Sequence, residues 1–156
     1  MLGRTHFLFG LFLSLFSFLF FSFENYFLFV LLFLFGSLFP DVDRSNSIVG
    51  RNAKFVSRFF SHRGFFHSFY ALILFSLIIY LFFDLVLALA FLFGFLFHLV
   101  FDSFTKKGVS FFIFDKRVRG SFTSGGLFDM FLQKALLLCN IFLLIVILEK
   151  LVSDVF

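Results

Sequence analysis

This sequence predicts an all-α, polytopic integral membrane protein. It reads as one domain over residues 1–156, built from two helical hairpins and a C-terminal hydrophobic helix, with four to five transmembrane helices. Three observations predict it. The chain is 62% apolar and 14% charged, whereas a soluble domain is about 45–50% apolar and about 25% charged. A chain of 156 residues cannot bury that much apolar surface in water. The apolar residues run in charge-free stretches, and the basic residues gather in the segments that two hairpins would bring to one side. Disordered chains are polar and highly charged, and one Pro with ten Gly makes no collagen-like or linker tract.

The charge-free runs are Thr5–Phe23, Asn25–Pro40, Gly64–Phe83, Leu85–Phe101 and Ala135–Leu148. A crossing helix needs about 20 residues, with about 17 as the lower bound. By that rule the first, third and fourth runs span, and the second and fifth are short. Arg4 precedes the first run, but the run is Phe-rich, lacks a small-x-small cleavage site and is followed almost at once by another. It reads as a retained helix, not a signal peptide. Glu24 and Asn25 interrupt a tract too long for one crossing. A buried carboxylate in one bent helix is expensive, so a tight turn is the better reading. Asp84 punctuates the next pair of runs in the same way. The stretch Gly108–Phe131 mixes Phe, Gly, Ser and basic residues, and reads as a re-entrant or surface-lying segment with a Gly-rich turn. The fifth run is expected to span, with an interfacial helix as the alternative.

Two hairpins put the N-terminus, Asp41–Arg63 and Asp102–Lys134 on one side. Of the 13 Lys and Arg residues only Lys150 falls elsewhere. The positive-inside rule makes that side cytoplasmic, in a plasma or inner membrane. Arg44, Arg51, Lys54 and Arg58 are then topology anchors and contacts for anionic lipid headgroups. The single Cys139 excludes an intrachain disulfide and a zinc–cysteine cluster, and reads as a lipid-facing or packed small side chain.

All four histidines fall near the same cytoplasmic boundary. His6 begins the first run, His62 and His67 flank the entry to the third, and His98 lies one turn before the end of the fourth. Asp41 and Asp43 follow the second run and Asp102 ends the fourth. His98 and Asp102, four apart in HLVFD, share a helix face. His62 and His67, in HRGFFH, converge if Gly64 marks a bend or a helix start. Asp41 and Asp43, in FPDVD, can chelate one ion or bridge two, because a metal offsets their mutual repulsion. A mixed His/Asp set suits zinc, manganese or iron better than calcium. Either one metal has outer partners or two metals share a carboxylate. Two-metal sites favour hydrolysis at phosphorus, since the ions acidify a shared water and neutralise the attacked group.

Each residue also has a plain structural reading. An interfacial His can simply hydrogen-bond, and Asp41, Asp43 or Asp102 can cap helices. Arg63 is a candidate for a substrate phosphate or carboxylate and equally a surface anchor. Ser68 can hold a neighbouring ligand or bind substrate. No G-x-S-x-G elbow supports a serine nucleophile. No Gly-rich phosphate signature supports ATP or a nicotinamide cofactor. Nothing supports nucleic-acid binding.

Four elements in order resemble the YdjM-like family, inner-membrane-associated proteins to which metal-dependent hydrolysis is assigned by inference. They are THFLFG (Thr5–Gly10), LFPDVDRSNSIVGR (Leu38–Arg51), HRGFFHS (His62–Ser68) and HLVFDSFTKKGVSFF (His98–Phe112). The resemblance covers the chain to about residue 114. It implies metal ligation or catalysis by His6, Asp41, Asp43, His62, His67, His98 and Asp102, and marks Arg63, Gly64 and Ser68 as motif positions. One member is linked by name to the LexA repressor, but nothing in this chain encodes that partnership.

Together these readings make the expected protein a membrane-bound metal-dependent hydrolase. It would act at the cytoplasmic interface on a phosphoester of a lipid or lipid-linked substrate, with one or two divalent ions, zinc first and manganese or iron as alternatives. Asp43 is the candidate general base and Arg63 the candidate phosphoryl stabiliser. Amide or carboxylic-ester hydrolysis could use the same Lewis acid. The rival class is a non-enzymatic metal-binding scaffold or transporter component. Transport would favour ligands near the bilayer midplane rather than at one interface.

Overall fold

The computed structural model describes residues 1–59, 63–112 and 116–153. Its helices are α1 (Gly3–Ser17), α2 (Tyr26–Leu38), α3 (Lys54–Phe59), α4 (Phe69–Phe82), α5 (Leu85–Ser103) and α6 (Leu127–Ser153). A 3₁₀ turn, Phe39–Asp43, extends α2, and another, Phe65–His67, leads into α4. The fold is all-α. Among the described residues three apolar stretches reach membrane length, Tyr26–Asp43, Leu85–Ser103 and Leu127–Ser153, and α4 is a shorter apolar helix.

Helix starts follow the polar residues that interrupt the apolar runs. The Asn25 side chain accepts from Leu28 N–H (3.0 Å), Ser68 from Ala71 N–H (3.4 Å) and Asp84 from Leu87 N–H (2.8 Å). Each satisfies an amide that the first helical turn leaves open. Glu24 and Asn25 therefore lie in the connection between α1 and α2, not inside one bent helix.

Helix lengths differ from the charge-free runs in four places. The first run ends as a helix at Ser17, after 15 residues. The Ser14 and Ser17 hydroxyls bond back to the Leu11 and Ser14 carbonyls (2.9 and 2.6 Å), and the chain closes into turns through Phe21. The second run is longer than expected, because Pro40 sits at the start of the 3₁₀ turn, where its missing N–H costs nothing. The third begins as a helix only at Phe69, where Ser68 caps it. The fifth becomes the longest helix, 27 residues. Asp129, Lys134, Glu149 and Lys150 lie toward its ends, where charge is tolerated.

The α2–α5 pair forms the centre, with α1 against α2 and α6, and α4 against α5. The two central backbones touch at glycines. A β-carbon on Gly36 would collide with the Phe91 carbonyl oxygen, and one on Gly94 with the Phe33 carbonyl oxygen. Small residues at such crossings let apolar helices approach closely in lipid, where water supplies no driving force. Around this seam Phe91, Phe95 and Leu99 are fully buried, and Phe39 packs edge-on to Phe75 and Phe91. The segment after α5 folds back on itself through paired backbone bonds between Val109 and Val118 (3.0 and 2.9 Å), with turns at Gly108 and Gly125. Cys139 is exposed on α6.

Candidate metal centre

Four chain ends meet at one end of the bundle: the start of α1, the turn after α2, the turn before α4 and the last turns of α5. They bring together His6, Asp41, Asp43, His67, His98 and Asp102, all at 5% exposure or less. His62 lies outside the described residues. Six of the seven expected ligand residues thus share one buried cluster, although up to 96 positions separate them in sequence, from His6 to Asp102.

Asp102 is the hub. Its Oδ1 lies 3.3 Å from His6 Nε2 and also receives the Met1 amine. Its Oδ2 pairs with Arg63 Nη2 at 2.7 Å and lies 3.9 Å from His67 Nε2. On the other flank His67 Nε2 is 3.9 Å from Asp41 Oδ1, and His67 Nδ1 is 3.3 Å from Asp43 Oδ2. The His98 ring stacks on His6 with centroids 3.8 Å apart and meets His67 edge-on at 5.3 Å. Burying this many ionisable groups is expensive unless each is paired, hydrogen-bonded or metal-bound.

His98 identifies what the cluster is suited to hold. Its Nδ1 lies 2.8 Å from the Ser37 carbonyl oxygen. A carbonyl can only accept, so Nδ1 carries the proton and Nε2 the lone pair. That Nε2 is buried with no hydrogen-bond partner among the described residues. An imidazole whose outer N–H is held by a carbonyl and whose inner nitrogen is bare has the arrangement of a metal ligand. Two candidate ligand sets include it, His6/His98/Asp102 and Asp41/His67/His98, each with ligand atoms within 4.8 Å of one another. The donors fit a divalent transition ion. Because both sets need the one lone pair of His98, that side chain can serve only one ion at a time.

The other motif residues have clear places. Arg63 is 6% exposed, in a left-handed conformation with φ 65°. Its N–H donates to Asp43 Oδ2 (3.1 Å), Nη1 donates to the Gly108 carbonyl and Nη2 holds Asp102. Asp43 belongs to neither ligand set but backs His67. Ser68 is the cap of α4, and its hydroxyl donates to the Phe65 carbonyl (2.7 Å). The Asp102 carboxylate faces the cluster, and it is the Asp102 backbone carbonyl that accepts from the Thr105 hydroxyl.

Two residues that matter to the site are absent from the sequence reading. Ser37 contributes a backbone carbonyl, which no side-chain pattern signals. Asp129, 1% exposed at the start of α6, accepts from the Thr5 hydroxyl (2.5 Å), Leu2 N–H (3.2 Å) and Gly125 N–H (2.7 Å). It pins the turn of α1 that carries His6, and it accounts for the threonine beside that histidine. Thr5 itself was the available signal.

No curated protein and no solved structure matches this chain. A family model described as the YdjM inner membrane protein matches residues 1–151, which takes in every element of the buried cluster, and the chain belongs to that family.

Proposed function

We propose that the cluster is a divalent-metal centre for hydrolysis of a phosphoester in a lipid or lipid-linked substrate. The observation that carries the reading is His98, with Nδ1 held by the Ser37 carbonyl and Nε2 buried and bare inside a His/Asp cluster. His6, His98 and Asp102 are one ligand set and Asp41, His67 and His98 the other, alternatives that share His98, with zinc assigned first and manganese or iron also suited to these donors. An ion held there supplies Lewis acidity toward a phosphoryl oxygen and acidifies water.

The protein's own groups then divide the work. Asp43, 3.3 Å from His67 Nδ1, orients that ring so that Nε2 faces the cluster, and its carboxylate is also the candidate general base. Arg63 balances the charge of Asp102 and holds it in place. Nη1 and Nη2 each make one contact, and the Nε–H, buried without a hydrogen-bond partner among the described residues, is available to a phosphoryl oxygen. Asp41 is left as the carboxylate that reaches the outer wall of the cluster. We also propose two hairpins and a C-terminal spanning helix, with the N-terminus and metal centre cytoplasmic. The support is that Arg4, Arg44, Arg51 and Arg63 cluster at the same ends of α1, α2 and α4 as the ligands.

A metal scaffold without activity is the second reading, favoured by how deeply the ligands are buried. Elemental mass spectrometry of detergent-purified protein tests both. Wild type should carry stoichiometric transition metal, and His98→Ala and Asp102→Asn should lose it while keeping helical circular dichroism. Phosphoester hydrolysis in mixed micelles should fall with chelation and return with metal. Metal retention without hydrolysis would favour the scaffold. A folded wild type that takes up no transition metal on reconstitution would sink both.

A further inference from the structure

Beside the cluster lies a cavity of about 310 Å³ between the start of α1, the loop after Asp43 and the early turns of α6. Its polar lining includes Arg4, Arg44, Arg51, Asn46, Gln133 and Asp41. None of the three guanidinium groups pairs with a carboxylate among the described residues. Unpaired arginines gathered around one concavity repel one another, and an anion offsets that cost.

The cavity is built, and it shares a wall with the metal cluster. Ser47 shapes the loop: its hydroxyl donates to the Asp41 carbonyl (2.6 Å) and accepts from Gly50 N–H (2.8 Å). Gln133 is set in place by donating to the Thr5 hydroxyl oxygen (3.0 Å). Asp41 forms the shared wall. Its Oδ1 faces His67 Nε2 at 3.9 Å, while its Oδ2 lies on the side of Gly3, 3.9 Å from where a β-carbon there would stand. Gly3 also lines the cavity. Whatever fills the cavity therefore sits next to a candidate metal ligand.

Size and charge limit what that can be. About 310 Å³ is at the lower end of ligand pockets, which suits a headgroup and not an acyl chain. Three arginines against one carboxylate leave an excess positive charge of two, and the planar guanidinium fork matches phosphate oxygens two at a time. The geometry points to this cavity as the seat of a phosphate group bearing at least two negative charges, a phosphomonoester or diphosphate. Its use as the charged end of the substrate rests on the hydrolase reading above, but the binding itself does not.

The full chain in detergent, stripped of metal with a chelator, is titrated calorimetrically with inorganic pyrophosphate and with a short prenyl diphosphate. About 0.15 M salt limits long-range charge effects to roughly 8 Å. Both ligands should bind saturably, and Arg44→Gln and Arg51→Gln should each weaken them about tenfold or more. Arg117→Gln, an exposed arginine away from the cavity, should change nothing. These arginines are exposed, so the variants keep their fold. Tighter binding of the prenyl form assigns the source to a lipid, and equal binding assigns it to a soluble phosphate; either supports the site. No pyrophosphate binding, or binding that both arginine variants retain, overturns it. A protein that holds no metal yet binds pyrophosphate through Arg44 and Arg51 would end the hydrolase reading and leave the cavity assignment intact.

Discussion

At the scale of the residue, the two nitrogens of one imidazole carry most of the argument. His98 Nδ1 is committed to the Ser37 carbonyl, and only Nε2 is left for the cluster. His67 Nδ1 stands 3.3 Å from Asp43 Oδ2, a charge contact on the side of the ring away from Asp41 and Asp102. Asp43→Asn should accordingly lower metal affinity about 10- to 100-fold, the usual cost of losing an outer partner, while His98→Ala removes a ligand outright. Competitive titration against a chromogenic chelator measures the difference. If Asp43→Asn keeps full metal affinity but loses turnover, Asp43 is a proton acceptor and not an orienting group. The candidate ligands were legible in the sequence because imidazoles and carboxylates announce donor chemistry and were spaced around one predicted boundary. Ser37 was not legible, since a backbone carbonyl leaves no trace in residue identity. The roles of Arg63 and Asp129 depend on partners 39 and 124 positions away in sequence, Asp102 and Thr5.

At the scale of the element, the apolar runs marked where helices would be but not where they would stop. Hydropathy reports what a stretch can tolerate as surroundings. Ends are set by individual hydrogen bonds: the caps at Asn25, Ser68 and Asp84, and the serine back-bonds that finish α1. This is why the run expected to span first became a helix of 15 residues, and the run judged short became one of 27. The central crossing depends on two residues without side chains. Gly94→Ala should push the α2 and α5 backbones apart and destabilise the protein by about 1–3 kcal/mol, the usual range for overpacking. Thermal unfolding in detergent reads this directly, and an unchanged melting temperature would show that the seam has slack. Because Gly94 lies one helical turn before His98, metal affinity should fall along with stability.

At the scale of the whole molecule, composition alone established a membrane protein, and the distribution of basic residues supplied an orientation to test. In a Cys139→Ser chain, Arg58→Cys should resist a membrane-impermeant maleimide in intact cells and react after permeabilisation. Glu24→Cys, at the opposite end of α1 and α2, should react at once. The reverse pattern would place the metal centre outside, and equal labelling would mean that α1 and α2 do not cross as a pair. The tertiary arrangement of the ligands was not legible, because nothing local ties His6 to α5. That dispersal has a consequence in time. The ligand sets draw on residues from His6 to Asp102, and both require His98. As the chain leaves the ribosome, no candidate set is complete until α5 has been made. Until then His6 and Asp41 lack the α5 partners they have in the folded protein. A metal held as proposed could therefore be loaded only late in synthesis, once α5 has been made.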